Sequence, residues 1–191
     1  DLWTQLRAAA EDAAREEPRL ASQLNAVVLA HEDFAGALSF QIARKLGDAE
    51  LGAMTVREVA LSAFAADPGI VAAAEADLKA VQERDPAIRS LLQPFMYFKG
   101  FQALQAWRVA HWLWEQDRDT LAFHFQSRIS ELFQLDIHPA ARIGSSRPPM
   151  HIGAGSAIRR SGAASCWAPG PRCWATSRSA TTPRWRPARW C

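Results

Sequence analysis

Between residues 145 and 191 the chain has no aspartate, no glutamate and no lysine, yet it has eight arginines, so this stretch carries +8. Residues 1–144 have the opposite shortage: no cysteine, and too few basic residues to balance their acids, which leaves −6. The overall charge of +2 therefore describes neither part. All three cysteines (Cys166, Cys173, Cys191), six of the eleven prolines and four of the eight tryptophans also fall in the tail, so two compositions meet near residues 143–146. No apolar run approaches the roughly 20 residues that a helix needs to span a bilayer. The first residues, Asp1 to Thr4, lack the basic start and apolar centre of a secretory signal. On these absences a membrane-spanning or exported protein is not expected, and the expectation is a cytoplasmic one with no membrane partner. A length of 191 residues, 49% of them apolar, is enough for one medium domain with its own core.

Residues 1–135 show no alternating strand pattern and no internal repeat. Leu2 to Glu17 is rich in Ala, Leu, Glu and Arg, all good helix formers, and Pro18 stands where a second helix can begin. Leu20 to His31 and Phe34 to Leu46 keep apolar residues at helical spacing up to the Gly47-Asp48 break. Thr55-Val-Arg-Glu58 has the pattern of a capping box, and Asp67-Pro68 that of an N-cap followed by proline in the first turn, opening a helix to about Arg84. Pro94 to Gln116 reads as one long aromatic segment with Phe101, Leu104, Trp107, Ala110 and Leu113 on a drifting face, and Thr120 to Gln134 as a last helix. At Leu135 the character changes. Ile137, Pro139 and Ile143-Gly144 have the sparse aliphatic and glycine texture of a hexapeptide turn in a β-helix. The fold class expected is mostly α: about seven or eight helices over 1–135, the first turn of a left-handed parallel β-helix over 136–144, and a disordered basic tail over 145–191. A stretch rich in Pro, Gly, Ser and Arg buries too little surface to offset its ordering entropy.

Three stretches in this order resemble the serine O-acetyltransferase family: Arg84-Asp85-Pro86-Ala87; the aromatic run from Tyr97 to Arg108 with His111-Trp112-Leu113-Trp114 behind it; and Asp136-Ile137-His138-Pro139-Ala140-Ala141. Arg57-Glu58-Val59 and Ala65-Ala66-Asp67-Pro68 add to the likeness, which covers about the first 144 residues. The resemblance implies a helical amino-terminal domain followed by a β-helix of hexapeptide repeats. It implies transfer of acetyl from acetyl-CoA to the hydroxyl of L-serine, in the first committed step of cysteine synthesis, with acetyl-CoA as co-substrate, no bound cofactor and no metal. It also implies homo-oligomers joined through the helical domain, and O-acetylserine sulfhydrylase as a partner whose docking peptide is absent here. A serine hydroxyl is a weak nucleophile at neutral pH, so a base must take its proton, and a carboxylate can orient that base. By resemblance Asp136 is that catalytic carboxylate and Asp85 helps hold the serine. The family's catalytic histidine belongs to a D-H-A-T-G motif that this sequence lacks.

On the residues alone, plainer readings stand beside these. Asp85-Pro86 has the form of a helix cap, and Asp136 that of a loop residue. His138 reads as a surface or packing residue, and His111 and His124 as structural helix residues. The Trp107, Trp112 and Trp114 cluster reads as core or subunit interface. In the tail, interleaved Arg and Trp would suit a nucleic-acid arm, which is the disfavoured reading, and the cysteines have no companions at zinc-site spacing. Codon arithmetic offers another origin. Cys173-Trp174-Ala175-Thr176 shifted by one base reads Leu, Gly and one of Asn, Asp, His or Tyr. With compatible third bases the shifted tail shows aliphatic residues every six positions, like later coils of the same family. We read the tail as an out-of-frame translation with coding sequence also lost, and expect this chain to be inactive or nearly so. The alternative is a stand-alone helical oligomerisation module without catalysis.

Overall fold

The computed structural model describes residues 1–143. The expected disordered tail, its out-of-frame origin and the nucleic-acid alternative lie outside the described residues. The mostly α expectation is met: eight α-helices and no strand occur among the described residues.

Helix α1 (Leu2–Glu16) starts where the Asp1 carboxylate accepts from the Trp3 amide at 3.2 Å, and it buries Leu2, Leu6 and Ala10 along a one-turn spacing. Pro18–Leu20 form a 3-10 turn that leads into the short α2 (Ala21–Leu24). The chain then widens into a π-helical turn, Asn25–Leu29, in which the Ala30 amide reaches the Asn25 carbonyl at 2.8 Å. The helical expectation over Leu20 to His31 holds, but the π turn leaves no mark in residue spacing. Helix α1 grips the corner that follows: Trp3 Nε1 donates to the Glu32 carbonyl and Arg7 to the His31 carbonyl, each at 2.8 Å. The His31 ring, 8% exposed, lies against Phe40 with Nε2 3.1 Å from the Ala26 carbonyl. Burial holds its pKa below the usual histidine value, opposed by that carbonyl and reinforced by Arg57.

Helix α3 (Phe34–Leu46) is capped by Asp33, whose carboxylate accepts from the Gly36 amide at 2.7 Å. Gly47 ends it because a Cβ there would stand 2.7 Å from Ala53 Cα. Asp48 Oδ1 then accepts from the Glu50 and Leu51 amides, and Arg128 meets its other oxygen at 3.1 Å. This loop delivers the chain to Gly52 already aligned, so α4 (Ala53–Ala66) begins two residues before Thr55 and the capping box is not made. A capping residue must be non-helical, and Thr55 sits inside the helix. Asp67 and Pro68 act as expected: the carboxylate accepts from the Gly69 amide at 2.9 Å, and α5 (Pro68–Arg84) leaves α4 at 99°.

The long aromatic segment is two helices, α6 (Leu92–Tyr97) and α7 (Lys99–Glu115), parted at Phe98. The break leaves carbonyls without helical partners. Gln102 Nε2 takes Met96 O at 2.6 Å and Phe95 O at 3.3 Å, and Gln41 Nε2 reaches the same two. Helix α7 is buried on every side from Phe101 to Ala110, among α3, α4, α5, α6 and α8 (Asp119–Phe133), instead of on one drifting face. Its polar residues are buried with it. Arg108, 7% exposed, meets the fully buried Asp77 of α5 at 2.6 Å, and Gln105 bonds to both. Residues 135–143 then run back in extended and turn backbone, with Ile137, Ala141 and Ile143 packed on the core. They form no ladder. A β-helix coil pairs only with coils stacked on it.

Asp77→Ala strands the Arg108 charge and is expected to cost about 3–5 kcal/mol in urea unfolding, whereas Asp77→Leu with Arg108→Met costs far less. Lowering of the His31 pKa means that the unfolded chain binds the proton more readily. The contribution of His31 is therefore complete above about pH 6.5 and lost as pH falls from there through the lowered folded value. His31→Gln flattens that dependence of the urea midpoint.

Candidate functional site

Asp85 ends α5, its amide bonded to the Val81 carbonyl at 3.1 Å. Its Oδ1 accepts from the Ala87 amide at 2.9 Å, and its carbonyl from the Ile88 amide at 3.0 Å. The helix-cap reading fails in its usual form, because no helix starts at Pro86. Asp followed by Pro is equally the start of a turn, and a turn is what forms.

Asp136 lies two residues beyond Gln134, which closes α8 in the left-handed conformation (φ 60°). Its carboxylate is exposed at a shallow groove of about 510 Å³ bordered by Phe123, Ser127, Ser130 and Glu131. Gln126 Nε2 donates to Oδ1 at 2.7 Å. Asp85 is not among the residues that border this groove.

Helix α7 holds the segment that carries Asp136. Trp107, 2% exposed, donates from Nε1 to the His138 carbonyl at 3.1 Å, and His111 donates from Nδ1 to the Pro139 carbonyl at 2.6 Å. The two rings stack with centroids 5.1 Å apart. His111 Nε2 stands 3.5 Å from Glu115. The His138 ring meets Trp114 and Phe123 edge-on, and its Nδ1 accepts from the Ala140 amide at 3.1 Å. The packing readings of His111, His138 and Trp107 thus hold. Sequence reasoning missed Gln126 and both carbonyl bonds. A glutamine ten residues upstream of an aspartate has no signature, and neither has a side chain that bonds to backbone.

His124 lies near Asp48, whose pKa is held below the ordinary aspartate value by the Leu51 amide first, then by the Glu50 amide, Arg128 and His124, against desolvation. Among the described residues no three His, Cys, Asp or Glu side chains converge as metal ligands. A cavity of about 470 Å³ lies between the start of α5 and α7, bounded by Arg108, His111 and Arg142, and the first residues of α5 bring it no free amide. Pro68 has none, and Gly69 and Ile70 both bond to Asp67.

Residues 2–106 match the family described as serine acetyltransferase, N-terminal. The chain belongs to the serine acetyltransferase family. It is 47% identical over 143 residues to serine acetyltransferase of Escherichia coli strain K12, an alignment covering 75% of this chain and 52% of that protein. Among solved structures, Neisseria gonorrhoeae serine acetyltransferase in complex with serine shares 44% identity at a TM-score of 0.73, over 74% of this chain and 58% of that one. A serine acetyltransferase in complex with CoA shares 42% at a TM-score of 0.74, over 75% and 61%. The chain spans about half the length of the curated serine acetyltransferases it matches.

Proposed function

We infer that residues 1–143 are the amino-terminal part of a serine O-acetyltransferase, a cytoplasmic enzyme that moves acetyl from acetyl-CoA to the L-serine hydroxyl. The observation that carries this reading is Asp136: an exposed carboxylate held by one oxygen, in a segment aligned with family members through 143 residues. In the reaction the serine oxygen bonds to the thioester carbonyl carbon as its proton passes to a base. The carbon–sulfur bond then breaks, and the departing thiolate takes up the proton. Asp136 orients the base and stabilises its charged form, and Asp85 holds the serine. The base comes from outside residues 1–143. His111 Nδ1 is committed to Pro139, His138 Nδ1 to Ala140, and His31 is buried, and none of the described histidines bonds to Asp136. We divide the chain accordingly into a helical domain (1–135), a junction that opens the β-helix (136–144) and an aberrant tail (145–191).

A chimera of residues 1–143 with the remaining half of the Escherichia coli relative is expected to release CoA from acetyl-CoA when serine is added, and the chain as recorded to release almost none. Asp136→Asn in the chimera lowers kcat by about 10²–10⁴, and Asp85→Ala raises KM for serine more than for acetyl-CoA. Equal activity of the Asp136→Asn chimera would sink the reading.

A second reading is a stand-alone oligomerisation module. Two features favour it: the helices close a continuous core by themselves, and an apolar groove bordered by Ala35, Phe64, Val71 and Ala72, with Leu61 39% exposed, opens between α4 and α5. Sedimentation of residues 1–144 decides: a folded oligomer supports the module, a monomer removes it.

A further inference from the structure

Three side-chain donors from two helices converge on residues 136–139. Gln126 of α8 donates to Asp136 Oδ1, Trp107 of α7 to the carbonyl of His138, and His111 of α7 to the carbonyl of Pro139. Trp107 and His111 are four residues apart, so their side chains emerge one above the other on the same face of α7, and they take two carbonyls that are consecutive in the chain. A carbonyl only accepts, so each ring must present an N–H there, and the stacked pair fixes both donors at once. Packing alone asks for none of this. Apolar rings of the same size would fill the space of the stacked pair without donating to any carbonyl.

The consequence falls on the carboxylate. Asp136 is exposed and follows the left-handed Gln134, a position at which a short acidic side chain has several rotamers open to it. With its backbone held two and three residues further on, and with Oδ1 held by Gln126, its Oδ2 bears no bond among the described residues. We propose that Gln126, His111 and Trp107 are positioning residues that set the Asp136 carboxylate, α7 fixing the backbone and Gln126 the rotamer, so that Oδ2 is the oxygen presented to the base. This assignment rests on the acetyltransferase reading for its purpose, but not for its geometry.

The test is made on the full chain by nuclear magnetic resonance, without any activity. Two quantities are followed: the resonance of the Gln126 side-chain amide, identified by its change in Asp136→Ala, and the hydrogen exchange of the Ala140 and Ala141 amides, which bond to His138. His111→Leu is expected to speed exchange at both amides about tenfold and to move the Gln126 amide toward its free position, with the exchange of interior α7 amides unchanged. His111→Asn, whose side-chain N–H can replace the imidazole donor, restores most of both effects. Gln126→Met, at a half-buried surface position, leaves the exchange of Ala140 and Ala141 as it was, because it acts on the rotamer and not on the backbone. An unmoved Gln126 amide in a folded His111→Leu chain overturns the proposal, and so does a folded His111→Asn chain that behaves like His111→Leu. If His111→Leu does not fold, the Asn variant decides: native values support the proposal, and faster exchange with a shifted Gln126 amide overturns it. An inactive chimera would count against the acetyltransferase reading alone, since neither NMR quantity depends on turnover.

Discussion

A guanidinium cannot sit in a protein interior without an opposite charge, and in this fold the guanidinium is that of Arg108, on a helix enclosed along most of its length. Asp77 meets it from α5, with Gln105 bonded to both. Apolar packing between two helices tolerates sliding and rotation, but a hydrogen-bonded ion pair does not. The pair therefore fixes the register of α5 against α7. Asp85 closes the same α5 two turns beyond Asp77, and Asp136 hangs from α7 through the carbonyls of His138 and Pro139. Both candidate carboxylates take their places from one helix, although they are half a hundred residues apart in sequence.

The same economy recurs where helices end. Each break exposes carbonyls that need donors, and long polar side chains from distant elements supply them: Gln41 and Gln102 at the end of α6, Arg128 at the end of α3, Trp3 and Arg7 at the corner before α3. Arg128 also pairs with Asp48 and with Glu131, so one residue of α8 closes the α3–α4 loop. Among the buried polar side chains, Gln41 and Gln102 are used in this way, while Asp77, Gln105 and Arg108 bond to one another. Two arrangements thus keep the cost of the buried polar groups down: glutamines complete the backbone at a helix end, and the arginine is met by a carboxylate and a further glutamine.

What the sequence discloses follows the range of each interaction. The Asp67 cap and the α5 boundary at Arg84 rest on residues within a turn of one another, and they are legible, as is the break at Gly47. Thr55 misled because the Asp48–Arg128 contact, 80 residues long, decides where α4 begins. The break at Phe98 fell inside a segment that reads as one helix, with Pro94 and Gly100 the nearest local signals and neither at the break itself, and its stabilisation comes in part from Gln41, far upstream. At the candidate site the carboxylates were found only by resemblance. Asp85-Pro86 allows a cap or a turn on local grounds, and the choice made by the fold is the turn. Gln126, Trp107 and His111 act across a chain reversal, where spacing carries no information.

Asp77 and Asp136 show how one side-chain type is used for two purposes. The Asp77 carboxylate is fully buried and is bonded to Arg108 and Gln105, an arrangement that holds helices together and leaves it no access to a ligand. Asp136 is exposed, restrained at one oxygen and mounted on a segment that is itself restrained. Under the proposed function, restraint at both oxygens would stabilise the loop further, yet it would remove the acceptor that an incoming imidazole would need. Leaving the whole group free would oblige that imidazole to order it at an entropic cost on every turnover. Holding one oxygen from the scaffold and keeping the other open satisfies both demands.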